Sequence, residues 1–385
     1  MKTRTLTAVA LLALSAIARG DAAWQWTGNY GSKAVEMLIV GDIQVHTRRA
    51  NPMTAFNRLH DTLKQADLVY ANLEGLLVKS AGAKIDIPDK PEWTHPGPDG
   101  AKVLKANNIA VVGVANNVAS GRDNILKSLA VLDANGVKHT GAGKNIDEAH
   151  KPAIVERKGV RIGFLQYTAR WYQDKDAIAN ANEAGVAKIA SIDGITVDPA
   201  DLERVKADIK KLRPLVDIVV VSHHNRDGAT PVQFGGKQTA AGKDRAKSEE
   251  YQRQFAHTAL DTGADLVFGH GTHTIQGVEV YNGKPILYAM GHSNFDQPGY
   301  ENAVDGLIAR VVILNKAIKR VSFVPVTRDK NNDVYLLDPT AGDGAKLVGW
   351  VKERSFTPPS LRIEGHGRCR KRANGRHAKR FVTAE

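Results

Sequence analysis

Short apolar runs recur along the chain, and five of them stop in the same way, at polar residues able to bind a metal or an anion. Glu36–Val40 leads into Gly41-Asp42, and Asp67–Tyr70 leads into Ala71-Asn72-Leu73-Glu74. Ile109–Val114 leads into Ala115-Asn116-Asn117, Asp217–Ser222 into His223-His224-Asn225, and Asp265–Phe268 into Gly269-His270-Gly271-Thr272-His273. Near-continuous apolar runs of this length predict strands buried on both faces. Segments of helical spacing lie between them. Asp198-Pro199 supplies an N-cap and a first-turn proline; Leu202, Val205, Ile209 and Leu212 then form an apolar stripe that Pro214 ends. Asn124–Asn135 and Glu249–Thr262 repeat the pattern, each closed by a glycine. Further strands are predicted over Val160–Tyr167, Pro285–Met290 and Leu307–Leu314, and Tyr281-Asn282-Gly283-Lys284 has the signal of a tight hairpin. Strands and helices alternating from about residue 34 to 325 predict a layered α/β fold.

In open α/β sheets the crevice beyond the carboxyl ends of the strands takes ligands. Five strand ends carrying Asp, Glu, Asn and His therefore predict a site for one or two divalent metals. Asn72 and Glu74 are two residues apart, which on an extended segment puts both on one face. His223 and His224 are adjacent, so only one of them can face a given site. His270 and His273 suit two imidazoles converging from a loop. Each residue also has a plainer reading: Asp42 as a strand-end turn, and Asn116 and Asn117 as turn residues that tolerate left-handed backbone. The mixture of imidazole and oxygen donors favours Mn, Fe or Zn over Ca or Mg. Two long polar loops, 170–197 and 225–247, lie close in sequence to these residues and are expected to form a substrate rim. Asn72, Asn116, Arg226 and Lys237 are its candidate substrate-binding residues.

Composition adds limits. The chain has 385 residues, 42% of them hydrophobic, which is enough for a large core. Its net charge is +12, of which residues 362–380 contribute +7 through eight Lys and Arg against Glu364 alone. With 6% aromatic residues and no interleaving of aromatics with the basic cluster, a nucleic-acid module is not expected. Lys2 and Arg4, the apolar run Leu6–Ala18 and the small-x-small Ala16-Ile17-Ala18 predict a secretory signal and an exported protein. Cys369 is the single cysteine, so no internal disulfide is expected. The expected organisation is a signal segment over 1–18, a linker over 19–33, the main domain over 34–345, a helix over 346–360 and a basic, unstructured tail over 361–385. Asp329–Asp333 resembles the start of a calcium loop but lacks the required Gly and Glu, and predicts a hairpin turn instead.

Several ordered segments, taken together, resemble the CapA family of bacterial poly-γ-glutamate capsule synthesis, which has a calcineurin-like metallophosphatase fold. They are Gly41-Asp42, Asn72-Leu73-Glu74, Ala115-Asn116-Asn117, Gly141-Ala142-Gly143-Lys144-Asn145 with Glu148-Ala149, Val221-Ser222-His223-His224, Gly263 to His273, and Gly283-Lys284-Pro285-Ile286-Leu287-Tyr288. The resemblance spans roughly residues 36–330. It implies a layered αββα sandwich with mixed sheets. It also implies metal positions at Asp42, Glu74, Asn117, His224, His270 and His273, with His224 and His270 as candidates for a catalytic role as well. The implied partners are an anionic polymer or a small phosphorylated substrate, and a membrane-bound capsule synthesis complex.

The chain departs from the family pattern in ways that bear on chemistry. Val118 stands where the family has a histidine resembling the leaving-group acid of catalytic metallophosphatases. Asn225-Arg226 replaces a Trp-Gly, and the late Gly-Asn-Phe motif reads Gly291-His292-Ser293-Asn294-Phe295. Asp42-Ile43-Gln44 lacks a first-motif histidine, for which His46 is a candidate replacement. Three readings follow. They are an exported metal-binding protein of capsule-polymer assembly, a periplasmic metal-dependent phosphoesterase, and a non-catalytic polymer-binding protein.

Overall fold

The computed structural model describes residues 30–355 except 46–51, 80–82, 85–92, 170–176, 194, 226–241, 297–304 and 330, together with 363–365 and 382–384. Two sheets form its centre. The first joins Val35–Gln44, Leu68–Leu73, Ile109–Gly113 and Lys138–Thr140 in parallel, and continues on the other side of Val35–Gln44 into antiparallel Gly306–Leu314 and Ala317–Arg328. The second runs through Val278–Tyr281, Lys284–Leu287, Leu266–His270, Ile218–His224, Val160–Thr168 and Ala153–Arg157, parallel at its centre and antiparallel at both edges. Short strands Ile363–Gly365 and Val382–Ala384 extend the first sheet beyond Ala317–Arg328.

The period-two alternation of each strand fixes the layering. Met37, Ile39, Leu68, Tyr70 and Val111 of the first sheet meet Ile162, Phe164, Ile218, Val220, Leu266 and Phe268 of the second in one inner core. Their neighbours point outward. Leu38, Val69 and Val112 pack with Leu63, Val103, Leu104, Ile125 and Leu132 of the helices His60–Gln65, Gly100–Ala106 and Arg122–Ala134. Leu165, Val219, Val221 and Val267 pack with Val205, Ile209, Leu212, Phe255 and Ala259 of the helices Pro199–Leu212 and Gly242–Thr262. The result is the αββα sandwich that the family resemblance implies.

Local signals hold as well. Asp198 caps its helix by accepting from the backbone N–H groups of Ala200 and Asp201. Tyr281 pairs with Lys284 across Asn282 and Gly283, whose φ values of 50° and 76° are those of a primed hairpin turn. Asp329 Oδ1 accepts from the N–H groups of Asn331 and Asp333 in the turn joining Ala317–Arg328 to Val334–Leu336, so this segment is a hairpin turn. The last helix, Gly342–Arg354, begins four residues ahead of the expected 346.

Candidate metal centre

Alternation carries three of the five strands directly into the site. Asn72 and Glu74 continue the inward face of Leu68 and Tyr70, as their spacing predicts. His224 continues that of Ile218, Val220 and Ser222, and His270 that of Leu266 and Phe268. The Tyr70 hydroxyl meets Ser222 Oγ at 2.8 Å and so joins the two sheets just beneath the site. Burial pushes the Tyr70 phenol well above its ordinary range.

The first strand needs a correction in mid-course. Leu38 and Val40 face the outer helices, so strict alternation would leave Asp42 outside with them, yet beyond it Ile43 and Val45 are the outward residues. The register with Leu68–Leu73 shifts between Ile39 and Asp42, and this irregularity reverses the parity. At that point the backbone is too close for a side chain: a Cβ on Gly41 would lie 2.0 Å from the carbonyl oxygen of Gly291. Asp42 N–H donates to that same carbonyl at 3.0 Å. The glycine is therefore what lets Asp42 turn inward.

Asp42 is the hub. Its Oδ1 accepts from Asn72 Nδ2 at 2.8 Å and lies 3.5 Å from His270 Nδ1; its Oδ2 accepts from Gly271 N–H at 3.2 Å and lies 3.6 Å from His273 Nδ1. His273 Nε2 stands 3.7 Å from Glu74 Oε1. His224 Nε2 contacts Asn117 Oδ1 at 2.7 Å, and its Nδ1 lies 3.3 Å from Asn72 Nδ2. All six residues implied as metal positions thus meet around one point. Asp42, Glu74 and His224 are fully buried, and a ligand atom from each lies within 4.8 Å of the other two. His273 reaches the site from a left-handed backbone, φ 57°, uncommon for a residue with a Cβ. Gly271, at φ 88°, lets the loop pass over the His224 ring, 2.8 Å from where its own Cβ would be.

The donor set fits a cation. Two buried carboxylates face neutral-type nitrogen donors in a space closed to bulk water, an arrangement that is costly unless charge is compensated. Burial drives His270 from its ordinary 6.5 to about 4, which keeps the imidazole neutral and its lone pair available. Neither His270 ring nitrogen makes a hydrogen bond, nor does Asn117 Nδ2. Buried polar atoms without partners are rare in folded proteins and point to a missing ion or ligand.

Two residues that sequence reasoning passed over belong here. Gln166, in the middle of a strand, donates from Nε2 to Asn72 Oδ1 at 2.9 Å and accepts from Ala115 N–H at 3.1 Å, fixing the orientation of the Asn72 amide. Gly113 makes room for it, since a Cβ there would lie 1.9 Å from Gln166 Oε1. His292 heads a short strand paired in parallel with Val35–Gln44, directly opposite Asp42. Its Nε2 lies 2.6 Å from His273 Nδ1.

The remaining expectations divide. His223 turns away from the site, stacks on Phe255 at 4.7 Å, and is driven by burial to about 3. Asn116 uses its amide to hold the turn, donating to the Leu73 carbonyl and accepting from Val118 N–H. Val118 is fully buried with Trp93 and Phe295 in a small apolar cluster. Gln44 turns its amide to the Thr94 carbonyl. Arg226, Lys237 and His46 lie outside the described residues.

A family model described as bacterial capsule synthesis protein PGA_cap matches residues 36–297, a span that contains every residue of the centre. The PGA biosynthesis protein CapA of Bacillus subtilis (strain 168) is 26% identical over 321 residues, 79% of this chain and 76% of the relative. The capsule biosynthesis protein CapA of Bacillus anthracis is 23% identical over 333 residues, 83% of this chain and 74% of the relative. A probable polyglutamine synthesis accessory protein of Mycobacterium tuberculosis is 30% identical over 215 residues, 54% of this chain and 51% of the relative. With more than half its length matched by the family model and the ordered motifs gathered into one buried centre, the chain belongs to the bacterial capsule synthesis protein PGA_cap family.

Proposed function

We propose that this chain is an exported metal-binding protein of capsule synthesis that acts on, or helps to assemble, an anionic polymer such as poly-γ-glutamate. The observation that carries the reading is the convergence of Asp42, Glu74, Asn117, His224, His270 and His273, from five strand ends on two sheets, at one buried point. These residues would hold one or two ions of Mn, Fe or Zn. A bound ion of this kind supplies positive charge to a carbonyl or phosphoryl oxygen and makes water more acidic.

The chain's own residues set what can happen around it. Asn72 and Gly271 hold the two Asp42 oxygens in fixed directions, and Gln166 holds Asn72. His224 is oriented by Asn117 on one ring nitrogen and faced by Asn72 on the other. At position 118 there is no proton to give. Loss of a general acid costs on the order of 10²–10⁴-fold in rate, so Val118 argues against efficient phosphoester hydrolysis. The basic segment 362–380 favours a polyanion, because clustered Lys and Arg raise its local concentration. The N-terminal basic, apolar and small-residue segments favour export to the surface where a capsule is assembled.

The test is to incubate purified protein with defined-length poly-γ-glutamate, with and without Mn or Zn, and to follow both by size-exclusion chromatography. Metal-dependent co-elution or a change in polymer length, absent in Asp42→Ala, is the expected result. No association and no change in length with metal-loaded protein would reject the reading, and metal-dependent turnover of an aryl phosphate would support the phosphoesterase instead.

A further inference from the structure

We propose that His292 is itself a metal ligand, and that it builds a second binding position with Asp42 and His273 beside the one formed by Asp42, Glu74 and His224. The inference rests on the metal-binding reading above and adds a residue and a position to it.

The argument begins with register. The strand His292–Phe295 pairs in parallel with the end of Val35–Gln44, and His292 stands opposite Asp42. The same backbone contact that turns Asp42 inward, its N–H on the Gly291 carbonyl, also sets where His292 begins. The imidazole is fully buried and stacks nearly flat on Phe295, with ring centres 4.2 Å apart and planes 10° apart. That packing fixes its direction. Its Nε2 faces His273 Nδ1 at 2.6 Å, and His273 Nδ1 faces Asp42 Oδ2 at 3.6 Å. A ligand atom from each of Asp42, His273 and His292 falls within 4.8 Å of the other two. Two nitrogens and one carboxylate oxygen gathered at that spacing are a first coordination set for an ion of the Zn or Mn class.

Asp42 belongs to both groups, and its two oxygens face different neighbours. Oδ1 faces Asn72 and His270, while Oδ2 faces His273. A carboxylate common to two donor groups would serve both positions, as carboxylates do in two-metal sites. Two residues further along the first strand stands Gln44, whose amide nitrogen has no lone pair for a metal and donates to the Thr94 carbonyl. His292 reaches the same space from the adjacent strand.

The experiment counts metal. Parent protein, His292→Ala and His292→Asn are stripped with chelator, equilibrated with Zn or Mn, and analysed for bound metal and for affinity by titration calorimetry. Circular dichroism and melting of the metal-free forms verify the fold, and the asparagine variant keeps a polar side chain of smaller volume if alanine collapses the site. The expected result is the loss of one full equivalent in both variants, with the other equivalent retained. A folded variant that keeps the parent's count overturns the assignment, and if its affinity falls 10–100-fold, His292 is an outer partner that orients His273. A parent that binds no metal at all rejects the underlying metal-binding reading, a failure distinct from that of His292.

Discussion

The two sheets give the centre different chemistry. Apart from the His292 imidazole, the first contributes oxygen and amide donors, Asp42, Asn72, Glu74 and Asn117, and the second contributes imidazoles, His224, His270 and His273. Neither side alone gathers the full mixed donor set. Carboxylates with few imidazoles would suit a harder cation, and burial drives an imidazole to the neutral form, as it drives His270 to about 4 although Asp42 lies 3.5 Å away. The site exists only where the sandwich closes. Formation of the site is therefore coupled to folding through the packing of Tyr70, Phe164 and Phe268 between the sheets.

The sharpest way to break this division is to remove one donor from each side of the same group. Glu74→Gln and His224→Gln are expected to abolish the same equivalent of bound metal despite lying on different sheets; calorimetric titration showing that they affect different equivalents would break the pairing. A smaller effect is expected one shell out. Gln166→Ala frees the Asn72 amide and strips the Ala115 N–H of its partner, so metal affinity should fall about 10–100-fold and the metal-free protein should lose about 1–3 kcal/mol in chemical denaturation.

Val118 tests the apolar corner against the polar centre. Val118→His places an acid-capable ring among Trp93 and Phe295. The variant should gain aryl-phosphate turnover in a metal-dependent assay, at a stability cost of about 1–3 kcal/mol for overpacking. Unchanged turnover in a folded, metal-loaded variant would mean that more than one residue separates this centre from hydrolysis of phosphoesters.

The smallest effect on metal is expected at His223, which shares a strand end with His224 but none of its chemistry. Its folded-state pKa of about 3 lies below the ordinary 6.5, so the unfolded chain takes up the proton first as pH falls. Stability attached to this group is present above 6.5 and lost as pH drops from 6.5 towards 3, at up to about 1.4 kcal/mol per pH unit. His223→Phe should flatten that part of the pH–stability curve while leaving metal affinity unchanged.

Much of this was legible in the chain because period-two alternation is a local property. It predicts that His223 and His224 part ways and that Asn72 and Glu74 stay together, and both hold. The inward turn of Asp42 is not local. It depends on Gly41 meeting the backbone of Gly291, a contact across some 250 residues that no pattern near Asp42 announces. His292 was hidden for the same reason: its motif reads as an irregular version of Gly-Asn-Phe until the parallel register with Asp42 is known. Gln166 gave no signal, since a glutamine within an apolar strand is as compatible with a buried structural amide as with a partner of the site. Asn116 went the way its plainer reading suggests, into the turn, while its neighbour Asn117 went to His224.

The central claim is that this buried convergence binds metal, and elemental analysis of the purified protein beside Asp42→Ala tests it most directly. The account predicts one or two equivalents of Mn, Fe or Zn in the parent and none in the variant, because Asp42 belongs to both donor groups. A parent without metal after reconstitution, or an Asp42→Ala variant that keeps its full complement, would contradict it.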